Sequence, residues 1–306
     1  MKFSTLSCSM VFDMDELKPA ERQYYLQHVI APRPICFAST INANGEVNLS
    51  PFSFFNLFSS NPPVVIFSPA RRIRDNTTKH TLENVKQVPE VVINIVTYDM
   101  VQQTSLSSCE YPAGVNEFVK AGFTAIPATL VRPPMVKESK INLECKVIEI
   151  KPLGDGPGAG NLVICEILRL HLDDSLLEMT STPGRPKMDQ RKINHVARLG
   201  VDWYCKVDET NLFIVHKPNV ELGIGVDALP ASIHQSKILT GNNLGMLANV
   251  NQMPTIDPSF NDPRLKEIIQ YYNVNPEEME KELHNYAKEL LDQGKVNEAW
   301  QVLLVG

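Results

Sequence analysis

Apolar positions along this chain gather into short runs bounded by turn signals. ICFASTI (35–41) leads into Asn44-Gly45, and the stretch 47–56 then mixes Ser50, Ser53 and Asn56 with Phe52, Phe54 and Phe55, a pattern that predicts a strand entering a hairpin. Pro62-Pro63 delivers a second buried run, VVIFS, and VVINIVT (91–97) supplies another. INLECKVIEIKPL and NLVICEILRLHLDD predict a long hairpin about the glycine-rich tip GDGPGAG, which has neither P-loop order nor a following helix and is expected to be a flexible turn. Glu144, Glu149 and Glu166 alternate with apolar residues and are expected on the wet face of a strand. VARLGVDWYCKVDETNLFIVHKP is expected to close the barrel that these strands form.

Helical spacing appears in three places. AERQYYLQHVI, with Pro19 near its start, offers Tyr25, Leu26, Val29 and Ile30 for packing. Within PARRIRDNTTKHTLENVKQ, Asp75 and Asn76 are candidate N-caps, and Leu82, Val85 and Val88 give an apolar edge. Short helices are expected over 99–122. Near the end, Asn275, Pro276 and Glu278 make a capped start, Met279, Leu283, Tyr286, Ala287, Leu290 and Leu291 trace one face, and Gly294 stops the helix. KVNEAWQVLLVG predicts a further helix with Trp300 inward. No repeat recurs at 20 to 50 residues. Strand-like runs therefore dominate the front of the chain and helical spacing its end.

Composition narrows the class. With 306 residues, 43% hydrophobic and 21% charged, disordered and collagen-like chains are excluded. A net charge of -6 leaves no basic stripe for a nucleic acid backbone, although a local cluster of donors can still hold a small anion. Six cysteines, without a C-x-x-C pair, suggest neither zinc nor a redox dithiol and are expected to be buried thiols in a reducing compartment. The N-terminal stretch has no apolar core before its acidic residues, and no apolar run reaches about 18 residues, so a cytoplasmic location is expected and no membrane partner.

The candidate chemistry sits where hydroxyls and aromatics meet at strand ends, a surface suited to a flat heteroaromatic cofactor, and where Arg71, Arg72, Arg74 and Lys79 crowd a helix start, a place suited to phosphate. FASTINANGEVNLSPFSFFN, then NPPVVIFSPARR, then TTKHTLENV resemble, in pattern and order over roughly residues 30 to 216, the flavin reductase-like family of FMN-binding split barrels that includes flavoredoxins. The resemblance implies a mainly β chain, a split β-barrel domain with peripheral helices over 1–217, carrying an extension over 218–306, mostly helical in its second half, like one found in a branch of the family. It also implies a homodimer with pockets lined from both subunits. Arg33-Pro34 matches the family's R-P pair before the first strand.

For the site, the resemblance implies that Lys79 and Thr81, with Arg72, hold the FMN phosphate, and that the ring's polar edge lies against 50–56. Ser50, Ser53 and Asn56 would contact it, Phe55 would pack near the ring, Ser39 and Thr40 would follow the ribityl chain, and Ser68 would join them. Arg198, Leu199, Gly200 and Tyr204 match an R-L-G motif and its following tyrosine, Tyr204 being a further cofactor contact. His171 stands where the family commonly has a histidine near the flavin and the incoming donor, which makes it the candidate catalytic residue. Two departures stand out: His80 replaces a common Asp, and Val201 replaces a second glycine. The implied activity is flavin reduction by NADH or NADPH. An FMN electron carrier or sensor of flavoredoxin type stays open as the alternative, whereas a pyridoxamine phosphate oxidase-like barrel lacks a basic pocket for a second phosphate.

Overall fold

The computed structural model describes residues 10–178, 186–215 and 222–305, and the chain divides into two compact units, Met1–Phe213 and Ile214–Gly306. The first unit opens with helix α1 (Pro19–Val29), the short strand β1 (Arg33–Pro34), and strands β2 (Cys36–Ile41), β3 (Val47–Phe52), β4 (Phe55–Ser60) and β5 (Pro63–Phe67). Helix α2 (His80–Gln87), strand β6 (Glu90–Ile95), and helices α3 (Val101–Leu106) and α4 (Glu117–Ala121) follow. Next come the pair β7 (Ala125–Ile126) and β8 (Met135–Val136), the long strands β9 (Ile141–Pro152) and β10 (Asn161–Leu172), and a second short pair, β11 (Leu177–Glu178) and β12 (Lys187–Met188). Strands β13 (His195–Arg198) and β14 (Tyr204–Val207) end the described elements of this unit.

Seven strands form one antiparallel sheet in the order β3-β2-β6-β9-β10-β5-β4. Its outer strands, β3 and β4, are separated in the chain only by Ser53 and Phe54. A sheet whose two edges are tied by so short a link must curl until they meet, and that makes it a barrel with a seam. Two register shifts in the β9–β10 ladder, at Ile164/Cys165 and Ile167/Arg169, are bulges of the kind that bend long strands around such a curve.

Period-two alternation explains why the runs look continuously apolar. Along β2, Cys36 and Ala38 face the barrel interior with Val65, Phe67, Ile93 and Cys165, while Phe37 faces a second cluster with Leu49, Val96, Phe118 and Phe123. Both faces are covered, so both must be apolar. Leu82, Val85 and Val88 of α2 are buried, and the first two join the interior cluster.

Several expectations need correction. The stretch 47–56 is two strands at opposite ends of the sheet, because the bend at Ser53-Phe54 interrupts it. β13 pairs with β1 and β14 with β13 in a separate three-stranded sheet, and they do not complete the barrel ladder. The glycine-rich tip is tied down: the Arg71 N–H donates to the Ala159 carbonyl, the Gly158 N–H to that of Arg71, and the Asn76 amide to that of Asp155. α1 buries none of its residues, and Tyr25, Leu26, Val29 and Ile30 are all exposed. Among the cysteines, Cys36, Cys145 and Cys165 are buried, Cys205 is half-buried and Cys109 is exposed, while Cys8 lies outside the described residues.

Glu144, expected in water, is fully buried. Alternation does turn it away from the barrel interior, but the segment 129–131 covers that face, and the N–H groups of Thr129, Leu130 and Val131 together with the Thr129 hydroxyl converge on its carboxylate. Glu149 is exposed and Glu166 half-buried.

The second unit is helical: α5 (Ala231–His234), α6 (Gly241–Ala248), α7 (Pro263–Tyr272), α8 (Pro276–Asp292) and α9 (Val296–Leu303). Asn275 caps α8 by accepting the Glu278 N–H, Gly294 follows the helix with φ +75°, and Leu283, Tyr286, Ala287, Leu290 and Leu291 are buried in one core. Trp300 is completely buried there, its indole N–H donating to the Leu247 carbonyl at 3.2 Å.

Candidate functional site

The start of α2 and the barrel seam meet at a pair of adjoining cavities. α2 begins at His80, five residues after Asp75, and no side chain caps it. Asp75 instead accepts the N–H and hydroxyl of Thr77 in a local turn, and Asn76, at φ +56°, accepts from Arg71 Nε at 2.7 Å. Arg71 is thereby committed to the loop. Arg72, Lys79, His80 and Thr81 line the first cavity, which has about 20 Å³ of free space, and Asn48 and Ser50 of β3 form its opposite wall. The second cavity, about 470 Å³, is lined by Pro51, Phe52 and Ser53 with Arg33, Arg198 and Tyr204. Lys79 and Ser108 border both, so the two form one trough.

The trough is electropositive. Burial, then the neighbouring Arg72 charge, hold the Lys79 ammonium below its ordinary pKa, and among the described residues no carboxylate reaches it at ion-pair distance. Its nearest aromatic face is Phe52, whose ring centre is 5.9 Å from Nζ. Arg33, 7% exposed, donates to the Gln27, Ile30 and Leu199 carbonyls at 2.6, 2.6 and 2.7 Å, pinning α1 and the β13–β14 loop to the seam. Burial, with Arg198 nearby, lowers its pKa too. The Arg198 guanidinium lies 4.5 Å from the centre of the Tyr204 ring.

Two acidic residues that sequence reasoning missed control this cationic pocket. Glu110 Oε1 accepts from Arg72 Nε at 2.9 Å and Oε2 from Arg74 at 2.8 Å, so a carboxylate already sits on the guanidinium expected to meet a phosphate. Glu117, buried at the cavity wall, accepts the Leu49 N–H at 3.0 Å, and burial raises its carboxyl pKa. A space of about 20 Å³ holds roughly one water. The donors fit a phosphate in kind and charge, while Glu110 occupies Arg72 and the space beside them holds about one water.

The other sequence-derived candidates divide. Thr81 is 1% exposed and accepts from Asn48 at 2.9 Å at the cavity edge. Ser53 accepts from Arg33 Nε at 3.5 Å in the second cavity. Ser39 and Thr40 are wholly buried within the sheet, Thr40 accepting from Asn84 at 3.1 Å, and neither lines the trough. Asn56 lies beyond the seam on exposed β4, where it accepts its neighbour's N–H, and Phe55 packs into the barrel core. Phe52 takes the aromatic position in the trough. Ser68 bonds through its N–H to the Phe54 carbonyl at 2.8 Å, bracing the seam. His171 is not brought to the trough: its Nε2 sits 2.6 Å from Glu144 Oε1, on the covered outer face of the β9–β10 hairpin. Among the described residues no cluster could hold a metal ion.

A split barrel whose seam carries an uncapped helix start and an aromatic-lined, cationic trough is a fold and site suited to a phosphorylated aromatic ligand. Residues 29–187 match the family described as flavin reductase like domain, and the chain belongs to that family. An uncharacterized protein of Aquifex aeolicus is 34% identical over 178 residues, 58% of this chain and 86% of its own. One from Halalkalibacterium halodurans is 32% identical over 69% of this chain and 98% of its own. The structure resembles nitrilotriacetate monooxygenase component B from Bacillus cereus, with TM-score 0.62 and 26% identity over 69% of this chain and 100% of that one. It also resembles a putative flavin reductase with split barrel domain from Shewanella frigidimarina, with TM-score 0.56 and 25% identity over 68% and 100% of the two chains. The chain is accordingly a flavin-utilising oxidoreductase or electron carrier.

Proposed function

We propose that this protein binds FMN in the trough and is a flavin reductase that draws electrons from NADH or NADPH. The observation that carries this reading is Lys79, a partly desolvated ammonium without a carboxylate partner among the described residues, placed between an uncapped helix start and a cavity large enough for a ring system. Lys79, Arg72, Thr81 and the first turn of α2 would hold the terminal phosphate, with Asn48 and Ser50 beside it. Phe52, Ser53 and Tyr204 would line the larger compartment. A bound flavin supplies a ring that takes up a hydride and passes electrons onward.

The chain's own groups prepare that chemistry. Arg33 and Arg198 set a positive potential along the larger compartment, which favours negative charge developing on a ligand there without reorganisation. Glu110 keeps Arg72 oriented in the free protein and yields it to the anion. Positioning and electrostatics, without a general base, suffice for such a transfer.

The test joins binding to reduction. Lys79→Ala is expected to weaken FMN about tenfold or more while leaving riboflavin within about twofold, the scale of a lost charge-assisted bond. NADH or NADPH added without oxygen is expected to bleach the FMN-loaded protein. Equal loss of FMN and riboflavin removes the phosphate assignment, and a flavin that stays yellow with both nucleotides favours the electron-carrier reading.

A further inference from the structure

A third cavity lies beneath α1, outside the trough but sharing Gln23, Gln27 and Arg33 with it. It measures about 530 Å³, and its walls are mainly apolar: Leu26 and Ile30 from α1, Phe54 from the seam, Ala70, and Pro157 from the glycine-rich tip. The tip forms a firm wall because its backbone bonds to Arg71 and Asn76 hold it, and Gly158, at φ +82°, takes a conformation that a side chain would strain.

Two guanidiniums border this apolar space, those of Arg22 and Arg33. Among the described residues neither has a carboxylate at ion-pair distance. Arg33 is fixed by three carbonyls and retains its full charge uncompensated. Arg22 donates to the Asp15 carbonyl at 3.3 Å through Nη2, but its Nε is buried and has no acceptor. That Nε is closed off from solvent, so what Arg22 brings to the cavity it lines is the charge of its guanidinium.

We propose that this cavity binds a small aromatic carboxylate. A neutral apolar molecule would cover the walls and leave both charges unmet. An inorganic anion would meet the charges and leave the walls in contact with water. One molecule satisfies both if it carries a ring for the Leu26, Ile30 and Phe54 surface and a carboxylate for Arg22, with the Arg33 charge contributing at longer range. Its placement beside the trough makes the bound acid a neighbour of any flavin there. That neighbourhood rests on the function proposed above, whereas the binding itself does not.

Benzoate is the probe, titrated calorimetrically into the full-length protein with and without FMN, with benzamide as the neutral isostere. Saturable binding at about millimolar affinity or tighter is expected in both states, with benzamide at least about fivefold weaker. Arg22→Gln should weaken benzoate by a similar factor while leaving FMN binding within about twofold. Leu26→Glu, at an exposed position that tolerates substitution, should abolish benzoate binding by charge. No saturable benzoate binding, equal binding of benzamide, or an unchanged Arg22→Gln variant would each overturn the proposal. Competition between benzoate and FMN would overturn it by assigning the cavity to the flavin itself. Loss of FMN binding with benzoate binding intact would instead count against the flavin reading alone.

Discussion

Glu144 concentrates more hydrogen bonds than any single side chain described above, and its effect is on stability. Burial alone would raise its pKa, but donors from Thr129, His171 and the Leu130 N–H outweigh it and bring the carboxyl from 4.5 to about 2. Because the folded value is depressed, the stabilisation is present above the unfolded pKa and fades as pH falls from about 5 towards about 2. Glu144→Gln should therefore cost on the order of 3 kcal/mol at pH 7 in urea unfolding and flatten the acid limb of the stability curve. An unchanged acid limb would show that the nest does not hold the charge. This residue also shows where sequence reading stops. Alternation told correctly which way Glu144 turns from the barrel interior, but what covers that side comes from a loop fifteen residues upstream. Ser39 and Thr40 lie away from the trough for the related reason that β2 is covered on both faces, so hydroxyls beside a turn signal end up inside. That Lys79 and Thr81 stand at a helix start was legible from local sequence, whereas their meeting Ser50 and Ser53 across the trough came only from the family resemblance.

At the scale of elements, the hairpins, α2's apolar edge and the α8 cap were legible, since each is set by residues a few positions apart. The small sheet of β1, β13 and β14 was not, because its pairing spans more than 160 residues, as in Arg33 with Arg198. The β13–β14 turn explains both halves of the L-G-V sequence. A Cβ on Gly200 would lie 2.3 Å from the His28 ring, so the glycine there serves close approach of α1. Val201 adopts φ +49°, a left-handed conformation that strains a β-branched residue by about 1–3 kcal/mol. Val201→Gly should thus raise stability by about 1 kcal/mol after its own entropy cost, whereas Gly200→Ala should lower it. Thermal unfolding of the two variants reads the sign directly, and a destabilised Val201→Gly would refute the strain.

At the scale of the molecule, each unit has its own core, and the first leaves Tyr25 and Val29 of α1 in solvent with Leu57 and Phe58 of β4. Apolar surface of that extent marks an interface. We expect a two-fold homodimer that covers it, sedimenting at about twice 34.3 kDa at micromolar concentration, and Val29→Asp should shift it towards the single chain. A wild-type protein sedimenting as one chain would exclude the dimer.

The seam has one more consequence. β3 and β4 close the barrel through two residues of chain and not through a ladder, so the cylinder's circumference is set by covalent geometry at one point and by hydrogen bonds everywhere else. Ser50, Phe52 and Ser53, which line the trough, stand at that point, where no backbone pairing has to break to admit a guest. A ligand bound in the trough would thus enter where the wall has a clasp instead of a weave, and the remaining strands could stay rigid while it did.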